Sequence, residues 1–155
     1  MSGIDLHSLK VINMESFFQT WRPRVLSVLR ILTGLLLIPH GTAKFFGWPA
    51  DMSSPLVSLM GLAGIIELVG GLLLVIGLFT RPTAFIVSGF MAAAYFMAHA
   101  PDNFQPILNG GELAVLWCFT ALYIWIAGPG PWSVDAALAS RGSHGRAVHS
   151  NGRLG

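Results

Sequence analysis

What most constrains this chain is a series of four apolar runs, over about residues 25–46, 56–79, 82–100 and 107–127. Each approaches the ~20 residues that a helix needs to cross a bilayer. The third and fourth are the shortest, which predicts tilt or local thinning around them. Backbone amides in hydrocarbon must bond within their own segment, so the runs are expected as helices and not as strands. Only 10% of the 155 residues are charged, against about 25% in soluble domains. So few charges cannot coat a water-facing surface of this size. The expected fold class is therefore all-α, an integral membrane four-helix bundle.

The residues between the runs agree. Pro49 and Pro55 bound a first loop, and Thr80-Arg81-Pro82 predicts a tight second turn with Pro82 at a helix start. Pro101, Asp102, Asn103 and Pro106 mark a third loop, and Gly128-Pro129-Gly130-Pro131 ends the fourth run. The chain then divides into an N-terminal cytoplasmic or interfacial segment (1–24), a four-span domain (25–135) and a tail (136–155) whose Ser, Gly, Arg and His content predicts disorder. In the first segment, Leu6, Leu9, Ile12 and Met14 are spaced like one face of an amphipathic helix on a membrane surface. Asp5 and Glu15 exclude a signal peptide there.

Lys10, Arg22 and Arg24 precede the first run, Arg81 lies in the second loop, and Arg141, Arg146 and Arg153 follow the fourth. The first loop side has only Lys44 and the third loop has no Lys or Arg. Positive residues favour the cytoplasm, so both termini are expected there. The same basic residues are too sparse for a nucleic-acid surface. The lone Cys118 excludes dithiol exchange, and the absence of cysteine clusters or a C-x-x-C-H motif gives no metal site.

Inside the runs stand Arg30, His40, Lys44, Glu67, His99 and Glu112. An ionisable group at a helix centre costs roughly 2.5–3.5 kcal/mol on insertion scales. With both termini inside, His40, Lys44, Glu67, His99 and Glu112 fall between mid-membrane and the outer surface. Facing one another they offset that cost, Lys44 against the two carboxylates and the histidines against either. An outer-half polar cluster between helices is the expectation, with Pro39 and Gly41 loosening the first helix beside it. Glu112 could instead cap its helix after Asn109-Gly110-Gly111, and Lys44 could reach the headgroups alone. Arg30 sits towards the inner side, where it could reach the inner headgroups or tie one helix to a neighbour. Gly64, Gly70 and Gly71 around Glu67 allow close helix approach and leave room beside the carboxylate.

These residues resemble the DoxX family of small four-helix membrane proteins. The resemblance rests on Arg30, Gly34, His40-Gly41 and Lys44-Phe45, on the run from Glu67 to Pro82 that includes Arg81, on Asn109–Glu112 and on Gly128–Asp135. It implies a place in a bacterial cytoplasmic (inner) membrane and an association with redox chemistry, since some relatives look like the small subunit of a thiosulfate–quinone oxidoreductase.

A quinone-linked redox subunit is then the leading expectation. Glu67 and Glu112 would relay protons, while His40 and His99, with Lys44 and Asn109 beside them, would bind the ligand. The chain shows no flavin or dinucleotide motif and no intrinsic cofactor, so a protein partner or larger membrane complex would supply electrons. A bis-histidine haem on His40 and His99 is the weaker alternative, because two histidines on separate helices are little evidence. A proton-coupled transporter using Glu67, and a non-catalytic anchor or assembly subunit, are the other readings. A homo-oligomer is compatible with each.

Overall fold

The computed structural model describes residues 6–55 and 57–151, with side chains described for 14–55 and 57–142. All regular structure among them is helical: α1 (Leu6–Phe46), α2 (Leu59–Ile76), α3 (Thr80–Ala94) continuing through one π-helical turn (Tyr95–His99), the short α4 (Pro106–Asn109), α5 (Glu112–Ala127) and α6 (Val134–Asn151). Three stretches are long and apolar enough to cross a membrane: Met14–Phe46, Leu59–Ile76 and Thr80–His99. The fourth apolar run gives a shorter helix, Glu112–Ala127, because Gly110 takes a left-handed φ of +69° and splits α4 from α5.

Two expectations are corrected at the ends of the chain. The segment expected as a separate interfacial helix is continuous with the first apolar run, in a helix of 41 residues that passes Pro23 and Pro39 unbroken. The side chains of Leu6, Leu9 and Ile12, which carried the amphipathic face, lie outside the described residues. The tail expected to be disordered from residue 136 is helical to Asn151. Its Arg146 and Arg153 side chains also lie outside the described residues.

The helices form two pairs, α1 with α2 and α3 with α5, joined chiefly through α2 and α3. Glycines set the first pair. A Cβ on Gly34 would stand 2.5 Å from the Gly71 carbonyl oxygen, and one on Gly71 would stand 2.9 Å from that of Gly34. Gly41 likewise meets the backbone of Leu68, so this glycine serves close packing, and α1 is not interrupted there. Gly64 faces Lys44 and Phe45, while Gly70 faces Val87 of α3. Leu37, Leu74, Val87, Met91, Trp117 and Ile124 form the core between the pairs.

At the opposite end from the 47–58 loop, polar side chains close the helices. The fully buried Arg30 donates to carbonyls of Leu74, Val75, Pro129 and Trp132, with 2.8 Å to Pro129 and 3.0 Å to Val75. Its five-donor fork thereby ends α2 and holds the loop after α5 against α1. Arg81 reaches the Trp125 and Ile126 carbonyls at 2.6 and 2.9 Å, capping α5. Asp135 accepts from the Phe79 and Thr80 amides at 3.0 and 2.8 Å, capping α3. Pro82 therefore sits inside the first turn of α3 and not at its first position. The chain reaches that turn through Gly77, at φ +68°, and Phe79, at φ +49°.

Candidate functional site

A cavity of about 480 Å³ lies between the two helix pairs, at the end that carries the 47–58 and 100–111 loops. His40 and Lys44 line it from α1, and Glu67 from α2. His99 lines it from the π turn, and Trp117 from α5. The remaining wall is apolar and includes four methionines, Met52, Met60, Met91 and Met97. Unbranched thioethers make such a wall adaptable in shape.

Of the contacts expected among these groups, one ion pair forms. Lys44 Nζ donates to both Glu67 oxygens, at 2.5 and 2.6 Å, and the residues are only 7% and 4% exposed. Position decides this: Glu67 lies two turns into α2, and Gly64, one turn before it, lets the Lys44 stem lie close against α2. An ammonium has three N–H donors, so two bonds to Glu67 leave one for another acceptor.

His40, one turn before Lys44 in α1, sets its ring edge against Trp117, with centroids 4.9 Å apart. No hydrogen bond to its ring nitrogens is found among the described residues. His99 is held differently. Its Nδ1 lies 3.0 Å from the backbone carbonyl oxygen of Asn109, and its ring stacks on Tyr95. The π turn supplies that placement: the Ala100 amide bonds to the Tyr95 carbonyl five residues back at 2.9 Å. The Tyr95 hydroxyl donates to the Phe104 carbonyl at 2.5 Å.

The other predicted residues stand apart from the cavity. Asn109 is committed to the loop: its amide donates to the Asn103 carbonyl at 2.5 Å and its oxygen accepts from the Gly111 amide at 2.7 Å. Glu112 is exposed in the first turn of α5, where it meets the positive helix end, and it does not line the cavity. Glu112 thus does not share the cavity with Glu67, because the Gly110–Gly111 turn starts α5 with Glu112 facing out. Arg30 and Arg81 act on the other end of the bundle. In the loop near Met52, the Ser53 hydroxyl and amide both bond to Asp51 and hold that carboxyl below its usual range.

Trp117 and Tyr95 were not singled out by sequence reasoning. Aromatics inside apolar runs carry no signal of their own; the hint for Trp117 was its place on α5, where its face meets α1. Among the described residues no group of three or more His, Cys, Asp or Glu side chains could hold a metal ion.

A DoxX family model matches residues 25–100. An "Uncharacterized protein" of Haemophilus influenzae is 43% identical over 124 residues, which cover 76% of this chain and 92% of that protein. The "Inner membrane protein YqjF" of Escherichia coli is 31% identical over 122 residues, covering 72% of this chain and 89% of that protein. No solved structure matches the chain.

Proposed function

The chain belongs to the DoxX family of membrane proteins, and on that premise we propose that it is a quinone-linked accessory subunit of an inner-membrane oxidoreductase complex. In this reading α5 is a fourth span, shortened to about 24 Å at 1.5 Å per residue and met by local thinning of the bilayer. Both termini then face the cytoplasm, and the cavity opens towards the outer half of the membrane. The observation that carries the proposal is the polar set in an otherwise apolar cavity. His40 has no hydrogen-bond partner there, and Lys44 has one N–H beyond its two bonds to Glu67. A flat apolar ring bearing oxygens satisfies both groups and fills the space between Trp117 and the methionines.

Electrons would come from a partner protein, since the sequence has no flavin or dinucleotide motif, no cysteine cluster and no C-x-x-C-H. The transport reading is weaker, because both oxygens of Glu67 are engaged by Lys44 and are not free to exchange protons for cations. The anchor reading leaves His40 and the cavity without a purpose. The test is purification from the native membrane in mild detergent, followed by solvent extraction. A lipid-soluble quinone should co-purify, and His40→Ala should reduce the amount several-fold. A protein that travels alone with no quinone would refute the proposal.

A further inference from the structure

The hydrogen bonds around His99 fix what that residue can offer to the cavity. A backbone carbonyl oxygen only accepts, so the Nδ1 atom 3.0 Å from the Asn109 carbonyl carries the hydrogen. In the neutral ring Nε2 is then a bare acceptor. The tautomer is held on several sides, by the π turn that starts at Tyr95, by the stacked Tyr95 ring and by the 103–111 loop that Asn109 braces. His99 was expected to donate to a carbonyl oxygen. Its one proton is spent on Asn109, and in that state it cannot.

The opposite wall has the opposite polarity. Lys44 stands on the α1–α2 side and offers its remaining N–H. The α3 side thus holds a fixed acceptor, facing Lys44 as a donor and His40, whose ring can donate or accept. Two carbonyls of an oxidised quinone suit this poorly, because one would set its lone pairs against those of Nε2. A hydroxyl suits it well, since it donates to Nε2 while the ring's second oxygen accepts from Lys44.

We infer that the cavity prefers the reduced, hydroxyl-bearing form of its aromatic ligand over the carbonyl form, with His99 as the residue that sets the preference. This rests on the reading of the cavity as a quinone-type site. A site built to bond a hydroxyl discriminates strongly against an analogue that lacks it.

The test is equilibrium binding of a short-chain benzoquinone and its hydroquinone to the purified full-length protein. It is run anaerobically at mildly alkaline pH. The wild type should bind the hydroquinone about tenfold or more tightly than the quinone. His99→Phe should abolish that ratio while quinone binding persists. Equal binding of both forms by the wild type, or tighter binding of the quinone, overturns the inference and leaves the cavity reading standing. Binding of neither form overturns both. Nitrogen-15 NMR of ring-labelled histidine reports the tautomer in the unaltered protein, so the inference does not depend on how the variant folds. A proton on Nδ1 of His99 supports it, and one on Nε2 refutes it.

Discussion

Lys44 and Glu67, from two different helices, meet with Nζ 2.5 and 2.6 Å from the two carboxylate oxygens while both side chains are more than nine-tenths buried. Removing one partner leaves the other as an isolated charge in a low dielectric, which typically costs about 3–5 kcal/mol. Glu67→Gln should therefore lower the melting temperature in detergent by many degrees. The double variant Lys44→Met with Glu67→Leu should recover most of the loss, since a buried ion pair and a hydrophobic pair of similar volume are often equivalent. A double variant as unstable as the single one would show that the cost does not come from the unpaired charge.

Asp135 caps α3 through two backbone amides, at 3.0 and 2.8 Å. Asp135→Ala should destabilise the protein by about 1–2 kcal/mol, as lost helix caps do. Asp135→Asn retains one acceptor oxygen and should show roughly half that effect. Chemical or thermal denaturation of the three proteins side by side measures both.

The glycines of the α1–α2 contact should not be interchangeable with others in the spans. A Cβ at Gly71 would lie 2.9 Å from the Gly34 carbonyl, whereas one at Gly89 would meet nothing within 4 Å. Gly71→Ala should cost about 1–3 kcal/mol through overpacking. Gly89→Ala should be neutral or stabilising by up to ~1 kcal/mol, since alanine is the better helix former. Equal losses at both sites in a thermal-shift assay would contradict the packing described.

Topology follows from the proposed arrangement of four spans. In a Cys118→Ala background, single cysteines at Ser53 and Asn103 should react with a membrane-impermeant maleimide in intact cells. A cysteine at Arg141 should react only after the inner membrane is opened. Reaction at position 141 in intact cells would exclude cytoplasmic termini.

Much of this molecule could be read from the chain before its structure, and the residues show why. Ionisable groups are so unwelcome in apolar helices that His40, Lys44, Glu67 and His99 had few places to go but a shared cavity. For Arg30 the same reasoning left two places, the headgroups or a neighbouring helix, and its bonds to the Val75 and Pro129 carbonyls put it between helices. What escaped reading depends on local backbone geometry. Glu112 faces outward because Gly110 turns left-handed just before α5. His99 bonds a carbonyl because a π turn shifts its register, and no residue type announces such a turn. The helical tail was missed because composition reports the absence of an apolar core better than the absence of a helix.

Pro129, Trp132 and Asp135, which secure Arg30 and the start of α3, are all encoded downstream of the last apolar helix. Without them Arg30 lacks half of its acceptors and α3 lacks its cap. A chain ending before residue 128 would therefore keep all of its apolar helices and still lack the contacts that close this end of the bundle.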